Sequence, residues 1–216
     1  MRHRFAITFM GAALALATAA GGADAAVTFK APVSYAAQSG TADVAVGDFN
    51  EDGKTDLAAA NQTDSSFSIL LGNGDGTFQS QVRYAVATGG PTRVAVADFD
   101  GDHHQDLALA IAGTNRAVVE WGIGNGTFTL TPAVVTTPGT PGGVGGADLG
   151  LGRDQLLATN PAGTQLSVFT ADPLTRAFGA ATNTVVGNGP DAVASGNLYG
   201  ETDVVTTFPS TGSLRF

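Results

Sequence analysis

No cysteine occurs in the 216-residue chain, which excludes disulfides, thiolate metal sites and a lipid-modified cysteine anchor. Basic residues are scarce, with ten lysines and arginines against nineteen acidic residues, and no basic stripe exists to follow a phosphate backbone. A nucleic-acid partner is therefore not expected. After residue 20 no apolar run approaches the roughly 20 residues that a membrane span needs. Only one tryptophan and three histidines are present, so chemistry that depends on imidazole has few places to reside.

The first residues read as an address. Arg2 and Arg4 precede an apolar stretch from Phe5 to about Ala20, and Ala23-Asp24-Ala25 has the small-x-small form of a cleavage site. This predicts a secretory signal peptide over residues 1–25, a mature domain over 26–216 and a secreted or extracytoplasmic protein. A retained N-terminal anchor is the other reading. Removing Arg2, Arg4 and Asp24 with the leader takes the formal net charge from −9 to −10. A chain of this size can bury a sizeable core as one domain.

Much of that charge sits in two matching runs, DFNEDGKTDL and DFDGDHHQDL. In the first, Asp48, Asn50, Asp52 and Asp56 occupy positions 1, 3, 5 and 9; in the second, Asp98, Asp100, Asp102 and Asp106 do so. The backbone carbonyls of Lys54 and His104 stand at position 7. Oxygen donors at alternate places of a tight loop suit a hard cation such as calcium, which takes about six to eight oxygens. Two calcium sites are the expectation, and solvated acidic turns without metal are the alternative. The spacing is similar to the opening of an EF-hand loop, but position 12 is Ala59 or Leu109, which cannot supply the closing carboxylate. Val44-Ala45-Val46 and Leu57-Ala58-Ala59 flank the first loop and Val94-Ala95-Val96 and Leu107-Ala108-Leu109 the second, so each loop joins two short strands.

The likeness extends beyond the loops at an offset of 50 residues. Gly74-Asp75-Gly76-Thr77-Phe78 returns as Gly124-Asn125-Gly126-Thr127-Phe128, and weaker copies place Asp148, Phe178, Pro141 and Pro190 in third and fourth units. Each unit reads as four strands: before the loop, after it, near Phe67–Leu71, and near Thr77–Tyr84. Asn73-Gly74 and Asn125-Gly126 supply tight turns; no helix pattern follows them, which argues against phosphate cradling. The stretch from Thr136 to Gly146 reads as a loop between units, because the repeat keeps its register across it. Four units of this kind predict an all-β fold, a β-propeller of four four-stranded blades of approximately 50 residues, or a fragment of a larger propeller. Thr28-Phe29 and Val33-Ser34-Tyr35 match the fourth-strand pattern and could complete the last blade.

VAVGDFNEDGKTDLAAA with LGNGDGTF, and VAVADFDGDHHQDLALA with GIGNGTF, resemble the FG-GAP/VCBS repeats that build the propeller of integrin alpha subunits and occur in secreted microbial proteins. The resemblance is specific over about residues 42–128. It implies calcium in the acidic loops, a propeller fold and an extracellular role in binding or adhesion. That family often has glycine at loop positions 4 and 6; here Glu51 and His103 depart from it, and His103 is expected to adopt a left-handed backbone. The third unit offers only Asp148 and Asp154, and the fourth Asn197, Glu201 and Asp203, in loops shortened by about two residues. Both read as metal-free turns.

Other candidate groups are few. His103 and His104 are committed to an acidic loop, which argues against a Ser-His-Asp site; a transition-metal site at the pair is the alternative to solvated loop residues. Trp121 is expected to pack between blades rather than stack on a sugar. Glu120 replaces an apolar residue on a blade face; it is expected to reach solvent and is the best single ligand-facing polar group. Asn61-Gln62-Thr63 and Asn125-Gly126-Thr127 fit the glycosylation pattern. The function expected is a non-catalytic, calcium-binding module for an extracellular protein or carbohydrate. A structural remnant of a larger propeller protein is the alternative, and a secreted enzyme a distant third.

Overall fold

The computed structural model describes residues 31–197, 202–209 and 212–215. The signal peptide expected over residues 1–25 lies outside them, as do Thr28 and Phe29. The chain divides into two units. In the first, residues 1–36, the described residues 31–36 carry no strand, so Val33-Ser34-Tyr35 is not in a strand. The second, residues 37–216, holds every described strand.

Four antiparallel sheets follow one another along the chain, each a meander of neighbouring strands. The first blade contains β1 (Thr41–Gly47), β2 (Asp56–Asn61), β3 (Ser66–Leu70) and β4 (Val82–Ala85). The second contains β5 (Pro91–Ala97), β6 (Asp106–Ile111), β7 (Arg116–Glu120) and β8 (Ala133–Thr136). The third contains β9 (Val144–Ala147), β10 (Gln155–Thr159), β11 (Gln165–Phe169) and β12 (Thr182–Val185). The fourth has β13 (Val193–Asn197), β14 (Thr202–Phe208) and β15 (Ser213–Arg215), with no fourth strand among the described residues. The first strands of successive blades, β1, β5, β9 and β13, neighbour one another. This is the all-β propeller arrangement that the 50-residue repeat predicts. Residues 137–143 form the connection between the second and third blades.

Middle strands are buried on both faces, which is why DLALAI in β6 is buried throughout and shows no polar alternation. Leu107, Leu109 and Ile111 pack toward the first blade with Phe49, Phe67 and Ile69. Ala108 and Ala110, on the other face, meet the third blade's Leu156, Ala158 and Phe169. The phenylalanine that recurs every 50 residues joins the blades. Phe128 of the second blade enters an aromatic cluster of the first, 5.4 Å from Phe67, 5.6 Å from Tyr84 and 5.9 Å from Phe49. Phe178 of the third blade stacks on Trp121 of the second at 5.9 Å and lies 6.4 Å from Phe99. Trp121 is thus packing between blades.

The first blade's outer face departs from this pattern. Where the second blade has Leu109, Ile111 and Val118, the first has Ala59, Asn61 and Ser68. The Asn61 amide donates to Ser66 Oγ at 3.2 Å and Ser68 Oγ at 2.9 Å, and Ser68 donates to Gln81 Oε1 at 2.5 Å. Asn61 is fully buried, which removes it as a glycan acceptor in the folded protein.

Glu120 does not reach solvent. It lies opposite Leu107 at the end of β7, on the face that packs on the first blade, and is only 6 % exposed. Burial alone pushes its pKa up to about 7, because a charged carboxylate loses its hydration there. Its proton is held more tightly in the folded than in the unfolded chain, so stability falls as pH rises between the ordinary glutamate value and about 7. Above that the full cost is present. Glu120→Gln, in calcium-free buffer, is expected to stabilise the protein by on the order of 1–3 kcal/mol at pH 8 and by little at pH 4, read by thermal melting at both values. Equal melting temperatures of the two proteins at pH 8 would show that the ionised side chain escapes to water.

Candidate metal centre

Each acidic loop connects the first two strands of its blade, and its conformation is written into short side chains that bond the backbone ahead of them. In the second blade Asp98 accepts the N–H groups of Gly101 and His103 at 2.7 and 3.0 Å. Asp100 accepts that of Asp102 at 3.1 Å, and Asp102 that of His104 at 2.9 Å. The first loop repeats the ladder: Asp48 accepts from Asp52 at 3.1 Å and Gly53 at 2.8 Å, Asn50 from Asp52 at 3.3 Å, and Asp52 from Lys54 at 3.0 Å. Positions 4 and 6 are left-handed in both, with φ of 57° at Glu51, 75° at Gly53, 80° at Gly101 and 70° at His103. Two of these four left-handed positions, Glu51 and His103, are not glycine.

The position-9 carboxylates have a different role. Asp106 is fully buried; its Oδ2 accepts the Phe99 N–H at 3.0 Å and its Oδ1 the Gly122 N–H at 2.8 Å. Asp56 makes the same pair of bonds to Phe49 at 2.9 Å and Gly72 at 2.7 Å. One carboxylate thus ties the start of the loop to the end of the third strand. Gly72 and Gly122 are required there, because a Cβ on either would stand 2.1 Å from the Thr55 or Gln105 carbonyl oxygen. Burial pushes the Asp106 pKa up to about 7 against the two N–H donors.

Asp98, Asp100 and Asp106 each bring a carboxylate oxygen within 4.8 Å of the others, the one such acidic trio among the described residues. Asp100 is 4 % exposed, and its buried Oδ2 has no in-line hydrogen bond, its contact being an ion pair with Arg176 Nε at 2.6 Å. An oxygen-only, anionic donor set with one carboxylate almost wholly buried fits a hard cation such as calcium. Burial raises the Asp100 pKa, and the neighbouring Arg176 opposes the rise. In the first loop Asp48, Asn50, Asp52 and Asp56 hold the matching places but do not form such a trio. Asp52 turns instead to Lys54 Nζ at 2.8 Å, and that bond lowers its pKa and raises that of Lys54. Lys54 and His104 occupy position 7 of their loops. His104 pairs through Nδ1 with Glu51 of the first blade, which raises its pKa, and His103 is exposed with its Nδ1 3.6 Å from Asp98.

The third loop is one residue shorter than the second, since Ala97 faces Asp106 but Ala147 faces Gln155. Gln155, not Asp154, therefore takes the ninth position: its Oε1 accepts the Leu149 N–H at 2.8 Å and its amide donates to Arg153 O at 2.6 Å. Asp154 faces the second blade and accepts the Asp98 N–H at 3.0 Å, as Gln105 accepts that of Asp48 at 2.6 Å. Asp148 collects the N–H groups of Gly150, Leu151 and Gly152, which lowers its pKa. In the fourth blade Gly196 faces Asp203, so the loop is two residues shorter than the second; Glu201 lies outside the described residues.

Arg176, on the hairpin between β11 and β12, is a participant that loop spacing does not reveal. Its Nε lies 2.6 Å from Asp100 Oδ2 and its Nη2 3.0 Å from Asp102 Oδ2, so a cation from the third blade already sits on two position residues of the second loop.

No curated protein matches the chain. Among solved structures, a chain in the crystal structure of BBS1N in complex with ARL6DN, soaked with lead, is 14 % identical over 84 % of this chain and 56 % of that one, with a TM-score of 0.48. The mercury-soaked crystal gives 13 % identity over 82 % and 56 %, also at 0.48. The present chain thus spans about half the length of those it matches. The model of the FG-GAP-like repeat matches residues 48–109, the segment that holds both acidic loops and the strands between them. Across those residues the chain is similar to the FG-GAP-like repeat.

Proposed function

We propose that this propeller module is secreted, binds two calcium ions in the loops at 48–56 and 98–106, and serves as a non-catalytic binding or adhesion module for an extracellular protein or carbohydrate. The acidic trio of Asp98, Asp100 and Asp106, with Asp100 almost wholly buried, is the observation that carries the reading. Like charges a few ångströms apart repel and burial removes their hydration; Arg176 offsets this at Asp100 and Asp102, while Asp98 and Asp106 lie within 4.8 Å of Asp100. Calcium in the loops would stiffen the strand connections from which ligand-binding surfaces are built. Both histidines after the leader lie in an acidic loop, His104 paired with Glu51 and His103 beside Asp98, which argues against a hydrolytic triad.

A second reading, a structural piece of a larger propeller, is favoured by the first blade's outer face. Val44 and Val46 are 51 % and 57 % exposed there, whereas Val94, the counterpart of Val44, is 7 % exposed against a neighbouring blade. Size-exclusion mass, with a glycan and matrix-protein binding screen in calcium and in EDTA, separates the two. Monomer with calcium-dependent capture supports the first reading; self-association without capture supports the second.

Calorimetric titration of chelated protein is expected to give two calcium ions per chain, falling to one for Asp98→Ala. Two sites retained in that variant would contradict the assignment of the second loop. With free calcium near ~1 mM and dissociation constants of about 10⁻⁴ to 10⁻³ M, each site adds roughly 0.4–1.4 kcal/mol. EDTA should therefore lower the melting temperature, and an unchanged melt would count against structural calcium.

A further inference from the structure

The hairpins that follow the third strands of the second and third blades reach back over the acidic loop of the blade before them. In the second blade that hairpin is Gly124-Asn125-Gly126-Thr127-Phe128. Gly126, with φ of 83°, donates its N–H to Phe49 O at 2.7 Å, and a Cβ there would lie 3.5 Å from Asn50 Cβ and 3.2 Å from Leu71. The third blade has Leu174-Thr175-Arg176-Ala177-Phe178. Arg176 keeps the left-handed backbone, with φ of 58°, at a place where a non-glycine residue is disfavoured by about 1–2 kcal/mol. Its side chain follows the direction that the missing Gly126 Cβ would take. It passes over Trp121, the counterpart of Leu71, with the guanidinium carbon 5.4 Å from the ring centroid, and ends on Asp100 and Asp102. Lys54 in the first loop belongs to that loop itself and sits on Asp52 at the exposed rim; Arg176 comes from another blade and reaches the buried Asp100.

We propose that Arg176 is a tethered competitor for the metal in the second loop, so that calcium occupancy there and the seating of the third blade's hairpin on the second blade exclude one another. The inference rests on the calcium reading above. With the guanidinium seated, Asp100 and Asp102 are neutralised from within the chain, and the loop is held without metal. Calcium engaging Asp98, Asp100 and Asp106 takes Asp100 from Arg176, and the two cations repel at this range. The arginine then withdraws from Trp121. The second loop, although it carries one more carboxylate than the first through Asp100 in place of Asn50, is consequently weakened by its own neighbour. An effector that binds one of two mutually exclusive states shifts the other by the same factor, so calcium loosens the contact between the second and third blades at this corner.

The test uses Trp121, the single tryptophan of the chain, as a reporter beside the second loop. Calcium is titrated into the chelated wild-type chain, Arg176→Gly and Arg176→Lys, with tryptophan emission and calorimetry recorded together. Glycine is the residue that the second blade has at this place, so its backbone fits, and emission in chelator checks that Trp121 remains packed. Arg176→Gly is expected to bind calcium at the second loop about tenfold more tightly than wild type, the equivalent of one lost charge-assisted hydrogen bond. Its emission change on binding should be smaller, because no guanidinium leaves the ring. Arg176→Lys, which keeps the charge, should stay near the wild-type affinity. Two calcium ions bound with equal affinity by wild type and Arg176→Gly would overturn the competition while leaving the calcium reading intact. Calcium bound only at the first loop in every variant would overturn the calcium reading of the second loop, and the competition with it.

Discussion

The buried bond set of the ninth loop residue is the constraint on which each blade depends. Asp56 and Asp106 accept two backbone N–H groups apiece, one from the residue after the loop's first aspartate and one from the glycine two residues past the third strand. Backbone groups buried without partners cost roughly 1–3 kcal/mol each, so a single side chain settles two such costs and fixes the distance between loop and sheet. In the third blade an uncharged side chain takes one half of this role. Gln155 takes the same place and meets the Leu149 N–H through its amide oxygen, while Ala171 stands where the first two blades have glycine. The close approach that forbids a Cβ at Gly72 and Gly122 accompanies the carboxylate, and the two change together.

From that fixed point the blades are joined in a chain of reaching contacts. A side chain at the end of one loop, Gln105 or Asp154, accepts the N–H of the first aspartate in the preceding blade. The hairpin phenylalanine enters the preceding blade's aromatic cluster. His104 and Arg176 reach across the same seams to Glu51 and to Asp100. The acidic loops are therefore part of the blade interfaces as well as metal-binding candidates, and a change of charge in one loop is felt by its neighbour through short, partly buried contacts.

Much of this was legible in the sequence. The 50-residue period, the strands on either side of each loop, the turns at Asn73-Gly74 and Asn125-Gly126 and the packing role of Trp121 follow from local spacing and residue type, and the left-handed His103 from the resemblance to repeats with glycine at that place. The outer strands begin later than the pattern suggests: β4 starts at Val82, and Phe78 makes only an isolated bridge to Gly72, since Phe78 turns to packing rather than to continuous pairing. Glu120 is buried because both faces of its blade are covered, which alternation along one strand does not disclose. Gln155 was hidden by Asp154, whose carboxylate looks like the missing ligand until the register shows that it faces the other blade. Arg176 lies 74 residues from Asp102; only the stacking of blades brings it to the loop, and the one local trace is an arginine in the place of a hairpin glycine.

The most direct measurement is the melting of Asp56→Ala against wild type in excess EDTA, with no calcium to bind. If the ninth carboxylate is first a partner for the Phe49 and Gly72 N–H groups, the variant loses about 2–6 kcal/mol even under chelation, the cost of two buried donors left without acceptors. Melting curves that coincide in EDTA and separate only in calcium would show that this residue serves the metal alone, and the account of the blade built on it would be wrong.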